Sequence, residues 1–219
     1  MAISILNLTT VIMEFTSAFI SFLIGYYAMK AYRASSSRAL LLLYWGFIIL
    51  GVGIFLRVFT ASYIGVVTRL EPGTAITGLI NLAALIYSVT QLIAYALFVA
   101  AYVFQTKPAD KTAVTASAIT TVSAAVFPLY RLFFIPSLEL IAITMLAFVA
   151  VSTFINWRTR KNSESALVFY GFFLMMLSHV FFLFLRVNEL LLFVGEITQL
   201  AGFICLITML AKVSRTSAQ

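Results

Sequence analysis

The stretch RALLLLYWGFIILGVGIFLR, Arg38 to Arg57, has no charged side chain between its two arginines. A helix rises about 1.5 Å per residue, so about 20 apolar residues cross a hydrocarbon core of roughly 30 Å. The length of this run therefore predicts a membrane-spanning helix. Its apolar residues are continuous, whereas a barrel strand would alternate apolar and polar over about ten residues.

The same kind of block recurs along the chain. Seven spans are predicted: Thr10 to Tyr32, Arg38 to Ser62, Thr74 to Gln105, Thr112 to Tyr130, Ser137 to Trp157, Ser165 to Val187 and Leu190 to Val213. The 219 residues are 63% hydrophobic and 10% charged, too little polar surface to coat a water-soluble globule. The expectation is one all-α transmembrane domain covering residues 1–219, with no hidden soluble domain. The longest loop, Tyr63 to Gly73, holds Gly65, Pro72 and Gly73 and reads as a turn. No basic n-region precedes the first span and no small-residue cleavage site follows it, so it reads as a retained span.

The net charge of +7 has meaning only when sorted by side of the membrane. If the N-terminus is outside, Lys30, Arg33, Arg38, Lys107, Lys111, Arg158, Arg160, Lys161, Lys212 and Arg215 are cytoplasmic, and only Arg57, Arg69, Arg131 and Arg186 lie toward the outside. This asymmetry is the positive-inside pattern and predicts a multi-pass cell-membrane protein with its C-terminus in the cytoplasm. The basic rim suits anionic lipid heads, and no nucleic-acid site is evident.

Shifting the chain by 125 positions places Glu14 on Glu139, Tyr32 on Trp157, Arg33 on Arg158, Gly46 on Gly171 and Phe47 on Phe172. A shift of 108 places Thr90, Gln91 and Leu92 on Thr198, Gln199 and Leu200. The chain thus reads as two three-helix repeats, residues 10–105 and 137–213, joined by a connector helix at 112–130. One intervening helix lets both triplets run in the same sense, as parallel repeats. This 3+1+3 layout resembles that of the SWEET and PQ-loop sugar and amino-acid transporters. The resemblance is one of layout, since the prolines those families carry in the first two helices of each triplet are absent here. It implies a solute site at the interface of the repeats.

Ionisable groups within spans are costly and mark either function or pairing. Glu14, Glu139 and Glu196 lie about one turn inside the outer ends of three spans, and Arg57, Arg131 and Arg186 reach the same level from others. They could line an outward vestibule or pair between helices, and their balanced charge is what pairing predicts. Tyr87, Gln91 and Tyr95 follow one another at a spacing of four and share a helix face. Gln91 and Gln199 form the best central polar pair, as interhelical clasps or as a solute site.

His179 is the only histidine. Bis-histidine haem and His-cluster metal sites are therefore not expected within one chain, and His179 reads as a hydrogen-bonded core residue. The lone Cys205 reads as packing. The seventh span has no central lysine for a retinal Schiff base, and no phosphate loop, catalytic triad or metal cluster can be assembled, so neither an enzyme nor a cofactor is expected.

The small residues from Ala116 to Ala125 mark a tight packing helix, and phenylalanines such as Phe47, Phe55, Phe172 and Phe173 suit lipid or a partner subunit. The functional expectation is a small non-catalytic transport or translocation component, a channel-like subunit or a solute or ion transporter, with its site near Gln91, Gln199, Tyr87, Tyr95, Glu14, Glu139 and Glu196, assembled as a homo-oligomer or with partner membrane subunits. The alternative is a non-catalytic scaffold of a larger membrane complex.

Overall fold

A computed structural model describes residues 2–70, 77–105, 134–184, 188 and 190–216. Over these residues it is all-helical: α1 (Ala2–Ser35), α2 (Arg38–Leu70), α3 (Thr77–Gln105), α4 (Phe134–Arg160), α5 (Ser163–Leu183) and α6 (Leu190–Thr216). All six are long and apolar enough to cross a membrane. The span expected at Thr112 to Tyr130, with its stripe of small residues, lies outside the described residues. One boundary departs clearly from expectation, because α2 runs through Gly65 to Leu70 where the sequence predicts a turn. A single glycine costs a helix only about 1 kcal/mol relative to alanine, and Ile64, Val66 and Val67 around it are apolar.

Two tight hairpins, α1 to α2 and α4 to α5, share one design. Ser36 and Lys161 both have φ of 53°, the left-handed region. Their N–H groups donate back to Tyr32 O at 2.7 Å and Trp157 O at 2.8 Å, satisfying a carbonyl that the ending helix would leave open. After the second of these, Asn162 caps α5 by accepting from Ser165 N at 3.0 Å.

Each helix packs on its neighbours in sequence, and α6 packs on α1, so the six described helices close a ring in chain order. Two levels of contact give their directions. Gln91 of α3 meets His179 of α5, and further along α3 Phe98 meets Phe172, earlier in α5. Helices α3 and α5 are therefore antiparallel, and since α4 and α5 form a hairpin, α3 and α4 run the same way. Likewise Glu14 and Glu196 share one level, while Ile24 and Leu206 share another, so α1 and α6 are parallel.

The described exterior is apolar, and polar and ionisable side chains are buried among the hydrophobic core. Buried positions include Glu14, Ser17, Ser21, Gln91, His179, Glu196 and Gln199, whereas Leu8, Ile12, Phe15, Phe19, Trp45 and Phe59 are exposed. Such an exterior suits lipid and would be a liability in water.

Midway through the bundle, Phe47, Phe98 and Phe172 from α2, α3 and α5 form a triangle of rings, with centroids 4.5, 5.6 and 6.5 Å apart. Phe47 and Phe172 are thus core residues and do not face lipid, in contrast to the expectation for their helices. Helical rotation decides this, since both helices are apolar on every face and nothing in their composition selects the buried one. Toward the hairpins lies an apolar cavity of about 130 Å³ bordered by Ile24, Tyr27, Phe47, Tyr102, Phe172 and Leu206.

Several glycines allow close helix approach, Gly46 and Gly171 among them. A Cβ on Gly46 would lie 2.7 Å from Phe98 Cδ1 and 3.2 Å from Ala94 O. A Cβ on Gly171 would lie 2.6 Å from Leu206 Cγ and 3.2 Å from Gly202 O.

Candidate functional site

Away from the hairpins, above the phenylalanine triangle, every one of the six described helices contributes a polar side chain to a single buried level. Arg57 of α2 stands at one side of it. Its Nη2 donates to Glu14 Oε1 of α1 at 2.5 Å and also to Glu196 Oε1 of α6. The guanidinium carbon lies 4.4 Å from the ring centroid of Tyr87 in α3, a cation–π contact. Arginine suits this place because its delocalised charge is less strongly hydrated than an ammonium and its donors serve several acceptors.

From Tyr87 the contacts continue along α3. Gln91 Nε2 lies 3.1 Å from Tyr87 Oη and 3.0 Å from Tyr95 Oη, so the four-residue spacing does place all three on one face. His179 Nε2 lies 2.7 Å from Tyr95 Oη and 3.2 Å from Gln91 Nε2. On its other side, His179 Nδ1 is 2.5 Å from Glu139 Oε2 of α4.

One assignment of protons satisfies these groups together. Nδ1–H of a neutral His179 donates to Glu139, Tyr95 O–H donates to His179 Nε2, and the Gln91 amide donates to the two tyrosine oxygens. The Gln91 to His179 approach is then proximity alone, because the amide nitrogen has only two hydrogens. Among the described residues this state sets three carboxylates, of Glu14, Glu139 and Glu196, against one guanidinium, that of Arg57.

Burial is graded across the level. The side chains of Glu196 and His179 are each 1% exposed, while Glu139 keeps 16% and Arg57 24%. Three polar atoms in the core have no hydrogen-bond partner among the described residues: Ser17 Oγ, Arg57 Nε and Gln199 Nε2. Ser17 lies one turn below Glu14 on α1, and Gln199 lies one turn below Glu196 on α6. Unpartnered buried polar groups are uncommon and point to something bound or to water.

The expected residues are distributed as follows. Glu14 and Glu196 meet at Arg57, and Tyr87, Gln91 and Tyr95 form a bonded ladder. Glu139 joins this ladder through His179, with no arginine as its partner among the described residues. The two glutamines do not pair through their amide nitrogens, since Gln91 Nε2 is held by Tyr87 and Tyr95 and Gln199 Nε2 has no hydrogen-bond partner among the described residues. The side chains of Arg131 and Arg186 lie outside the described residues. His179 is the hydrogen-bonded core residue that the sequence predicts, and what the sequence did not reveal is its partners, Glu139 and Tyr95. Among the described residues no group of three or more His, Cys, Asp or Glu is arranged to hold a metal ion.

Comparison with known proteins adds no relative. No protein family matches the chain, and no curated protein or solved structure matches it.

Proposed function

We propose that the protein is a small membrane transport component whose site is this polar level, lying between two parallel three-helix units. The observation that carries the reading is that all six described helices supply one side chain or more to one connected polar level inside the bundle. A purely structural bundle would gain little from it, since polar groups in hydrocarbon stabilise helix packing by only about 0.6 to 2 kcal/mol each. Intramembrane ionisable groups that face the bundle interior are typical of ion and solute pathways.

Several features support the two-unit arrangement. Replacing α1, α2 and α3 by α4, α5 and α6 leaves the set of neighbouring pairs unchanged. The offset of 125 relates Ser36 to Lys161 and Gly46 to Gly171, while the offset of 108 relates Phe98 to Leu206 and Ala94 to Gly202. Helices α3 and α4 run the same way, so the chain between them must return from one end of the bundle to the other, which favours a seventh span at 112–130. The hairpin end carries Lys30, Arg33, Arg38, Arg158, Arg160, Lys161 and Lys212, which favours a cytoplasmic hairpin end and an external N-terminus.

The phenylalanine triangle below the network makes this a conformation closed toward the hairpins. The reading is tested by reconstituting the purified protein in liposomes and following proton, sodium and amino-acid or sugar flux. Flux abolished by Gln91→Ala with Gln199→Ala supports it, and its absence under every gradient sinks it. The scaffold alternative draws on the interhelical contacts that engage Glu14, Glu139 and Glu196. It requires a partner that co-purifies reproducibly in mild detergent, and a well-behaved lone protein counts against it.

A further inference from the structure

We infer that Glu14 and Glu196 together form a binding site for one exchangeable proton, held between α1 and α6 against Arg57. This deepens the transport reading, on which it rests, by naming the ion of that site.

The argument starts from geometry. Both carboxylates use Oε1 to contact the same nitrogen, Arg57 Nη2, at 2.5 Å for Glu14 and at least as close for Glu196. The two oxygens are thus separated by at most twice a hydrogen-bond length. Two carboxylates brought so near, with one guanidinium between them, leave one negative charge uncompensated in a low-dielectric setting, and a shared proton removes it.

Among the described residues the other ionisable groups facing the pair do not supply that charge. Helix α2 offers Arg57, and α3 offers the neutral Tyr87. From α4 and α5 the nearest such groups are Glu139 and His179, which are engaged with one another and with Tyr95.

Next to the pair are Ser17 Oγ and Gln199 Nε2, both buried and without partners among the described residues. Lying one turn below Glu14 and Glu196, they are placed to hold a water that hands the proton on. The step balances simply: a solvated proton (hydronium) gives its proton to one carboxylate, leaving water and a carboxylic acid, and release reverses both. No electron moves. A sodium ion would neutralise the same charge, and the experiment separates the two.

The test is infrared difference spectroscopy of the purified full chain between low and high pH, with and without sodium chloride. The expected result is one protonated-carboxyl band per chain that shifts in deuterium oxide, ignores sodium and disappears in both Glu14→Gln and Glu196→Gln but persists in Glu139→Gln. Each single glutamine variant mimics a protonated partner, so its melting temperature should be unchanged or raised, while the double variant strands Arg57 and melts lower. No band dependent on these two residues overturns the inference, and so does a band suppressed by sodium. It is equally overturned if either single variant melts as low as the double. A band present with no liposome flux sinks the transport reading and leaves the proton site standing; flux without the band does the reverse.

Discussion

Glu139 and His179, 40 residues apart in the chain, meet at 2.5 Å and join α4 to α5 inside the bundle. Replacing His179 with Phe keeps much of the ring volume but strands a carboxylate and the hydroxyl of Tyr95. Leaving a buried polar group without its hydrogen-bond partner costs about 1–3 kcal/mol, and more where the group is charged. We expect His179→Phe to lose stability in that range in denaturant titrations in detergent. The double variant His179→Phe with Glu139→Leu should recover part of the loss, because nothing charged is then left unpaired. Additive losses would show that the two residues are not coupled.

Gln91 and Gln199 occupy related positions but differ in their contacts, which sets opposite expectations for stability. Gln91→Leu removes the donor shared by Tyr87 and Tyr95 and should cost about 1–3 kcal/mol. Gln199→Leu removes an amide nitrogen without a partner among the described residues and should change stability by less than about 0.5 kcal/mol. Equal losses in the two variants would contradict this difference.

Gly46 and Gly171 are the close-approach points of α2 on α3 and of α5 on α6. The atoms facing them include backbone oxygens at 3.2 Å, which cannot rotate aside as a side-chain end could. Gly46→Ala and Gly171→Ala should each destabilise by about 1–3 kcal/mol through overpacking. Neutral effects on thermal melting would show that these helices have room to separate.

Phe98 lies at the centre of the phenylalanine triangle and is fully buried. Phe98→Ala should cost about 3–5 kcal/mol by leaving a cavity. It also removes the barrier between the polar level and the apolar cavity, so on the transport reading proton leak in liposomes should rise. Phe98→Leu, which keeps most of the volume, should preserve both stability and tightness.

Ser36 and Lys161 adopt left-handed backbone that glycine adopts without penalty. The conformation costs an ordinary residue roughly 1–2 kcal/mol, against about 0.5–1 kcal/mol of extra chain entropy lost by glycine. Ser36→Gly and Lys161→Gly should each stabilise by up to about 1 kcal/mol, measurable as a raised melting temperature. A loss at either position would mean that its side chain does more than cap.

Much of this protein is local and was therefore legible in its sequence. The length of apolar blocks such as Ala39 to Leu56 determined the described spans, and helical spacing alone placed Tyr87, Gln91 and Tyr95 on one face. The coincidence of Glu14 with Glu139 and of Gly46 with Gly171 was visible by sliding the chain along itself. What only tertiary structure decided is which side chains meet across helices: that Arg57 serves both Glu14 and Glu196, that Glu139 belongs to His179, that Gln199 stands apart from Gln91, and that Phe47 and Phe172 turn inward. The physical reason is that a helix apolar on every face carries no periodic signal of its rotation, so the buried side is chosen by the ring of neighbours that closes around it.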